Sequence, residues 1–227
     1  MEQNSAYFEF QSSIQDSTLN VMNNELIEAM RNTAIKGFGW SIGLVIDTEL
    51  YRPKAKDKSI ETLIQTDESF DNWSLNSRGD LFILKTLFED RRDKTAIFID
   101  TRLVRLFESF ARVAALYKYL GVSPDAVINV QFKYGGLLNR KLKVANQNRI
   151  VSDRPIVSST DTFSRNISER LDNLLSITKL EELAVQNVRE LAQLFDSFNL
   201  REEMAKEMIQ EHAVFKGVSQ RFHELSV

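Results

Sequence analysis

The hydrophobic and polar positions of the chain follow two periods, and each period predicts a different kind of element. Residues 101–120 predict the clearest helix, because apolar side chains recur along them at steps of three and four. Smaller apolar residues form a second stripe on the same segment, which predicts a helix packed on two sides. Gly121 and Pro124 predict its end, since glycine tolerates a left-handed cap and proline does not continue a helix.

After this helix the period changes to two. Polar residues alternate with the apolar side chains of Ile128, Val130, Phe132 and Tyr134. Gly135 and Gly136 predict a turn, and the alternation resumes over 141–145. The pattern therefore predicts a β-hairpin of 128–134 with 141–145. A third strand is predicted over 149–157, on an edge of the sheet because it contains Pro155.

The first half of the chain predicts one helix followed by strands. Apolar residues at helical spacing predict a helix from Ser17 to Ile35, with Asp16, Ser17 or Thr18 as its N-cap. Strands are predicted at 44–47, 60–65, 72–76, 81–88 and 95–99. The strand at 81–88 is mostly apolar, which is typical of a central strand, and its expected partner is 95–99.

The C-terminal part is predicted to be mainly helical. Residues 160–175 fit a helix or a strand. A capping box of Thr178 with Glu181 predicts the start of one helix, and Asn199 with Glu202 predicts a shorter one. The predicted fold class is α+β: a mixed or mainly antiparallel sheet, a long packed central helix and a C-terminal helical pair.

The predicted organisation is one domain over residues 1–227. An N-terminal helix lies in 1–36, the sheet core with its helix in 37–158, and the mainly helical part in 159–227. A chain of this length buries enough surface to fold without a metal or a disulfide.

Composition narrows the function classes. The chain has 227 residues, 43% of them hydrophobic and 27% charged, and no cysteine. The absence of cysteine excludes thiol catalysis, disulfides and thiolate metal sites, and it suits a reducing cytoplasm. No apolar run reaches the ~18 residues typical of a membrane span, and the N-terminus does not have the pattern of a signal peptide. A net charge of -3 argues against coating nucleic acid without specificity.

The stretch GFGWSIG, residues 37–43, raises the question of phosphate binding. A dinucleotide fingerprint needs the spacing G-x-G-x-x-G after a strand and before a helix. Here Gly37, Gly39 and Gly43 have one residue too many, and they follow a predicted helix and lead into a predicted strand. We therefore interpret the stretch as a structural turn anchored by a packed Trp40, and no cofactor is predicted.

Few titratable residues suggest catalysis. The only histidines are His212 and His223, and His212 is expected to end the last helix. The carboxylates Glu89, Asp90 and Asp93 alternate with basic residues between two predicted strands, which is typical of a solvated turn. No catalytic or metal-binding residue is predicted.

Basic residues offer a possible nucleic-acid site. Between residues 133 and 154 there are six basic residues and one acidic residue. The basic residues are Lys133, Arg140, Lys141, Lys143, Arg149 and Arg154. The predicted hairpin puts Lys133, Lys141 and Lys143 on one face, where they would follow a phosphate backbone. The alternative is that exposed lysines protect strand edges from aggregation.

Several segments resemble a known group of proteins. They read FGWSIGLVID, YRPKAK, FDNWSLNSRGDLFILKTLFEDRRD, IFIDTRLVRLFESFARVAALYKYLGVSPD and VQFKYGGLLNRKL. Together they resemble the C-terminal accessory region of bacterial proteins whose N-terminal domain is Schlafen-type and Alba-like. That N-terminal domain binds nucleic acid or nucleotide in the group and has no counterpart here. No catalytic residue is carried over.

The resemblance implies an accessory module for sensing, assembly or docking in a cytoplasmic bacterial system, in regulation or defence against phage. The expected function is therefore a non-enzymatic interaction or sensor module with a protein partner or a second copy of itself. A nucleic-acid-binding module using residues 127–154 is the alternative. A carboxylate-dependent metal hydrolase is the third possibility. No membrane partner is expected.

Overall fold

A seven-stranded sheet and a long helix form the centre of the molecule, which confirms the predicted α+β class. The computed structural model describes residues 5–35, 39–67, 69–146 and 154–225. The strands are β1 Tyr7–Ile14, β2 Lys54–Lys56, β3 Ser59–Gln65, β4 Phe70–Asn76, β5 Leu81–Thr86, β6 Ala96–Phe98, β7 Val127–Gly135, β8 Lys141–Lys143 and β9 Phe163–Arg170. The helices are α1 Asn23–Asn32, α2 Ile99–Tyr119, α3 Leu171–Leu174, α4 Ile177–Ala192, α5 Glu202–Gln210 and α6 Ala213–Glu224. A 3₁₀ turn covers Phe88–Arg91.

The large sheet is antiparallel throughout and has the order β2-β3-β4-β5-β1-β7-β9. Its middle strand is β5, which agrees with the central strand predicted at 81–88. The adjacent strand β1 alternates buried and half-buried residues, so Phe8 and Phe10 face the helices while Glu9 and Gln11 face outward. Phe110 of α2 packs on this inner face, with its ring centroid 6.3 Å from that of Phe10. No element is predicted for residues 7–14, although their side chains alternate with a period of two in the sequence.

Helix α2 lies inside the molecule, as its two apolar stripes predict. Eighteen of its residues, from Ile99 to Tyr117, are buried. The sheet covers one side of α2, while α4, α5 and α6 cover another. Gly121 follows the helix with φ at +74°, and the amide of Val122 donates to the Tyr117 carbonyl at 3.0 Å. The predicted glycine stop is confirmed.

The predicted hairpin of 128–134 with 141–145 is wrong. Strand β7 pairs with β1 and β9, whereas β8 pairs in parallel with β6 in a separate two-stranded sheet. The two glycines allow a close approach instead of a hairpin turn. A Cβ on Gly135 would lie 2.3 Å from the Tyr7 ring, and one on Gly136 would lie 2.9 Å from backbone atoms of residues 5 and 6. The chain passes beside β1 and leaves the sheet.

Two other predicted strand arrangements are also wrong. Residues 44–47 form no strand, because the Leu44 carbonyl accepts a hydrogen bond from the Trp73 indole at 2.9 Å instead of from a neighbouring strand. Strand β5 pairs with β4 and β1 and not with 95–99, since the 3₁₀ turn redirects the chain towards β8. The strands predicted at 60–65 and 72–76 are confirmed as β3 and β4.

Three helices begin a few residues away from their predicted starts. Helix α1 begins after Met22, whose amide donates to Glu25 at 3.0 Å, and not near Ser17. Ser176 caps α4 in place of Thr178, and Arg201 precedes α5 in place of Asn199. The C-terminal part contains more helices than the expected pair. Of the predicted third strand at 149–157, residues 149–153 lie outside the described residues, and Val157 forms only an isolated bridge with Lys141.

Candidate ligand-binding site

A cavity of about 300 Å³ lies between the inner face of the sheet, the first turns of α2 and the loop at 39–42. We call it the arginine cavity. The residues of its lining that matter most are Trp40, Phe70, Asp71, Lys85, Arg102 and Arg105. A volume of this size is at the lower end of those that hold small molecules in proteins.

The sheet contributes an ion pair on an otherwise apolar face. Asp71 of β4 lies directly opposite Lys85 of β5, and Lys85 lies opposite Phe8 of β1. The Lys85 ammonium donates to Asp71 Oδ2 at 3.0 Å. The Lys85 side chain is only 16% exposed and that of Asp71 only 7%. Because Asp71 precedes Trp73 by two residues, both side chains face the core. The pair therefore borders the cavity from the inside of the molecule.

Helix α2 contributes two arginines, each held by a buried glutamate. Arg102 Nη2 donates to Glu89 Oε2 at 2.8 Å, and Arg105 Nη1 donates to Glu108 Oε2 at 2.6 Å. Burial raises the pKa of Glu89 above its ordinary value, while the Arg102 charge acts in the opposite direction. The two glutamates thus fix both guanidinium groups in position, and both arginines line the cavity.

The loop after α1 contributes the remaining wall. Gly39 has φ at +52°, and its neighbour Trp40 accepts a hydrogen bond from Arg105 Nη1 through its carbonyl at 3.0 Å. The Ile42 amide donates to Glu108 Oε1 at 3.0 Å. The expectation that a packed Trp40 anchors this turn is wrong, because the side chain is 44% exposed. The backbone of the loop is anchored by Arg105 and Glu108, which leaves the indole at the cavity.

Polar atoms without partners distinguish this region. Asp71 Oδ1 and Arg102 Nε are buried and have no hydrogen-bond partner, although both residues line the cavity. The Tyr134 hydroxyl is also buried without a partner, and its ring lies 5.9 Å from the Arg102 guanidinium carbon. Buried polar atoms are normally satisfied, so an unpaired acceptor and an unpaired donor on one cavity indicate a site for a polar ligand.

The basic residues predicted to bind nucleic acid do not form one surface. Arg140 is buried and pairs with Asp90 at 2.5 Å, and Lys143 pairs with Asp93 at 2.7 Å. Lys133 lies on β7 of the large sheet, whereas Lys141 is exposed on β8 of the small one. The prediction that Lys133, Lys141 and Lys143 share a hairpin face is therefore wrong. Arg154 is exposed, while Arg149 lies outside the described residues, as does Gly37.

The carboxylates between the predicted strands are structural and not a solvated turn. Glu89 is fully buried and also accepts the Phe98 amide at 3.1 Å. Asp90 accepts the Ala6 amide at 2.7 Å in addition to pairing with Arg140. Only Asp93 fits the predicted surface role. In the part of the chain that the structure describes, no three histidine, aspartate or glutamate side chains are grouped to hold a metal ion.

His212 begins a helix instead of ending one. It precedes α6, and its Nδ1 accepts a hydrogen bond from the Val214 amide at 3.2 Å. Burial, helped by the Arg105 charge and opposed by Asp100, lowers the pKa of His212.

Sequence reasoning missed the residues that build the cavity. Two signals were available: a charged pair within strands whose other inward residues are apolar, and charged residues at three- and four-residue steps along a helix that is apolar on two sides. The helical charges are Arg102, Arg105, Glu108 and Arg112. Charges at such positions are buried and need partners.

Comparison of the chain with protein-family models, with curated proteins and with solved structures gave no match. None of the helices within the described ranges is long and apolar enough to cross a membrane.

Proposed function

We propose that this protein is a non-enzymatic sensor module that binds a small anion-bearing molecule in the arginine cavity. The observation that carries the proposal is the unpaired Nε of Arg102 on a cavity that Arg91, Arg105 and Lys85 also line. Guanidinium groups bind phosphate and carboxylate through two parallel hydrogen bonds. Glu89 holds Arg102 through Nη2, so the Nε edge is the one a ligand would complete.

Binding is favoured over catalysis by the composition of the lining. Among the described residues that line the cavity, Asp71 is the only carboxylate, and Lys85 neutralises it; no histidine is present. A general base or an activated nucleophile would need a titratable group that is not already committed to an ion pair. The accessory role that the sequence resemblance implies agrees with a module that binds a ligand without catalysing a reaction.

The anion site is tested by thermal unfolding in phosphate and pyrophosphate at constant ionic strength. We expect each anion to raise the midpoint of the wild-type protein, because a ligand that binds only the folded state stabilises it. Arg102→Lys retains a cation for Glu89 but lacks the guanidinium Nε, so its response should be lost. Arg165→Lys is the matched control, because Arg165 also pairs with a glutamate and covers an aromatic ring, but at the surface.

A response that Arg102→Lys leaves intact would reject the cavity as the anion site. The coupling to a partner is tested separately, by affinity purification with the wild-type protein and Arg102→Lys as baits. We expect one protein to be retained by only one of the two baits. Identical retention by both would reject a sensor that reports the occupancy of the cavity.

A further inference from the structure

We propose that the ligand of the arginine cavity is a nucleoside monophosphate whose base carries an exocyclic amino group. This inference rests on the proposed function and specifies its ligand. Three features of the cavity support it: the cations, the aromatic walls and the unpaired oxygen of Asp71.

The cations favour a phosphate over a carboxylate. Arg91, Arg102, Arg105 and Lys85 line the cavity, and the carboxylates that hold them are Glu89, Glu108 and Asp71. Arg91 is exposed and forms no ion pair with any residue in the described ranges. One positive charge is therefore left over around the cavity. A phosphate monoester offers more charge and more acceptor oxygens to several guanidinium groups than a carboxylate does.

The aromatic walls favour a planar ring. Four aromatic side chains line the cavity: Phe8, Trp40, Phe70 and Phe88. The Trp40 side chain is 44% exposed. An exposed indole is well suited to stack on a nucleobase, which contributes about 1–3 kcal/mol per base in other proteins. Inorganic phosphate alone would not stack on the exposed Trp40 indole. The glycine stretch thus contributes a ring to the cavity, in place of the phosphate loop that its spacing ruled out.

Asp71 specifies the polar edge of the base. Its Oδ2 is taken by Lys85, while Oδ1 is buried without a partner. A buried carboxylate oxygen accepts a hydrogen bond from a ligand N–H or leaves its desolvation uncompensated. Because Asp71 belongs to the sheet and Arg102 to the helix, the donor of the ligand and its phosphate meet different walls. An amino group on the base, distant from the phosphate, fits that division.

Fluorescence of Trp40 gives a direct test. The only other tryptophan, Trp73, is fully buried and donates its indole N–H to Leu44, so a ligand in the cavity should alter mainly the Trp40 emission. Adenosine monophosphate is the probe, with red-edge excitation to avoid absorption by the base. Adenosine lacks the phosphate, and purine riboside 5′-monophosphate lacks only the amino group. Trp40→Phe identifies the signal.

We expect adenosine monophosphate to change the emission saturably and adenosine to bind at least about tenfold more weakly. Purine riboside 5′-monophosphate should also lose about tenfold, as expected for one hydrogen bond to a charged group. Asp71→Asn replaces an acceptor with an amide, so adenosine monophosphate should weaken there while purine riboside 5′-monophosphate changes little. Glu61→Gln, which alters an exposed ion pair on the outer face of the sheet, is the matched control.

The outcomes separate the two proposals. If phosphate or pyrophosphate acts through Arg102 but adenosine monophosphate binds no better than phosphate, the nucleotide proposal is overturned and the anion site remains. Equal binding of adenosine monophosphate and its analogue without the amino group would also overturn the assignment to Asp71. If no probe changes Trp40 emission or the unfolding midpoint, both proposals fail.

Discussion

Arg112 and Arg102 occupy different positions on the same helix, and the difference between their surroundings separates a structural charge from a binding charge. Both are buried, and both have an Nε without a partner. Arg112 is enclosed: its guanidinium donates to Thr33 Oγ1 at 2.8 Å, to the Met30 carbonyl and, at 3.4 Å, to the Gly43 carbonyl. Arg102 lines the arginine cavity. An unpaired buried atom therefore indicates a ligand only where space for the ligand exists.

The enclosed arginine connects α2 to the segment from Met30 to Gly43. Burial lowers the pKa of Arg112 to about 9, because its surroundings compensate the charge incompletely; Glu108 opposes this shift. The incompletely compensated charge of Arg112 is tolerated because Arg112 fixes the loop that supplies one wall of the cavity. The middle of α2 thus supports the loop, while the first turns of α2 are available for binding.

The largest expected effect is that of Arg112→Ala. The substitution leaves three buried acceptors without their donor, and we expect a loss of about 3–5 kcal/mol in the free energy of unfolding. Urea denaturation measures it. Arg170→Ala removes exposed ion pairs with Asp125 and Asp172 and should change the free energy of unfolding far less. Equal losses for the two variants would show that Arg112 is no more structural than a surface arginine.

Arg102→Met should destabilise the protein in a pH-dependent way. The raised pKa of Glu89 means that the folded state holds a proton more tightly than the unfolded state, so stability falls as pH rises through the window above the ordinary pKa. Without Arg102 that pKa rises further. We expect a larger loss near pH 8, roughly 3 kcal/mol, than near pH 5, roughly 1 kcal/mol, because a buried carboxyl without its cation costs less stability when it can take up a proton.

Denaturation curves at the two pH values measure the difference. The double variant with Glu89→Gln is the control, because it has no carboxylate to titrate and its loss should be nearly the same at both. A loss in the single variant that is equally large at both values would contradict a titrating Glu89.

Gly43→Ala tests the loop that Arg105 and Arg112 contact. Gly43 has φ at +65°, and an added Cβ would lie 2.6 Å from Met30 Cε. We expect a loss of about 1–3 kcal/mol in the free energy of unfolding, from backbone strain together with the clash. Gly121→Ala is matched for positive φ at +74° but meets open space, so it should cost only about 1 kcal/mol. The difference between the two variants measures the packing of the loop.

The smallest expected effect concerns His212. Its pKa is lowered in the folded state, so the unfolded state binds the proton first as pH falls below about 6.5. Its stabilising contribution is therefore present above that value and is lost as pH falls. Protonation of Nδ1 also removes the acceptor for the Val214 amide. We expect a loss of up to about 1 kcal/mol, absent in His212→Asn, which retains a capping side chain.

Several elements with a single clear period were predicted from the sequence, although β1 was not. Helix α2 and strands β3, β4 and β5 follow their patterns within a few residues, and the α+β class is confirmed. Strand pairing was less accessible, because the two glycines after β7 read equally as a hairpin turn and as a close approach to β1. The close approach depends on β1, which is distant in sequence.

The cavity could not be predicted from hydrophobic periodicity, for a related reason. Asp71, Lys85 and Arg102 look like ordinary surface charges until the register of β4 with β5 and the placement of α2 are known. Their burial is a tertiary property. Periodicity identifies which face of an element turns inward, but it does not identify which inward charges lack a partner.

The position of β1 has a consequence for how the chain folds. This strand is synthesised before both of its partners, β5 and β7, and it separates the β2–β5 meander from the β7–β9 pair. The meander has sequential contacts and can form early, whereas the sheet is joined only after residue 135 has been made. Contacts of such sequence separation slow folding. Until β5 and β7 have been synthesised, both edges of β1 remain unpaired. Unpaired strand edges expose a nascent chain to aggregation.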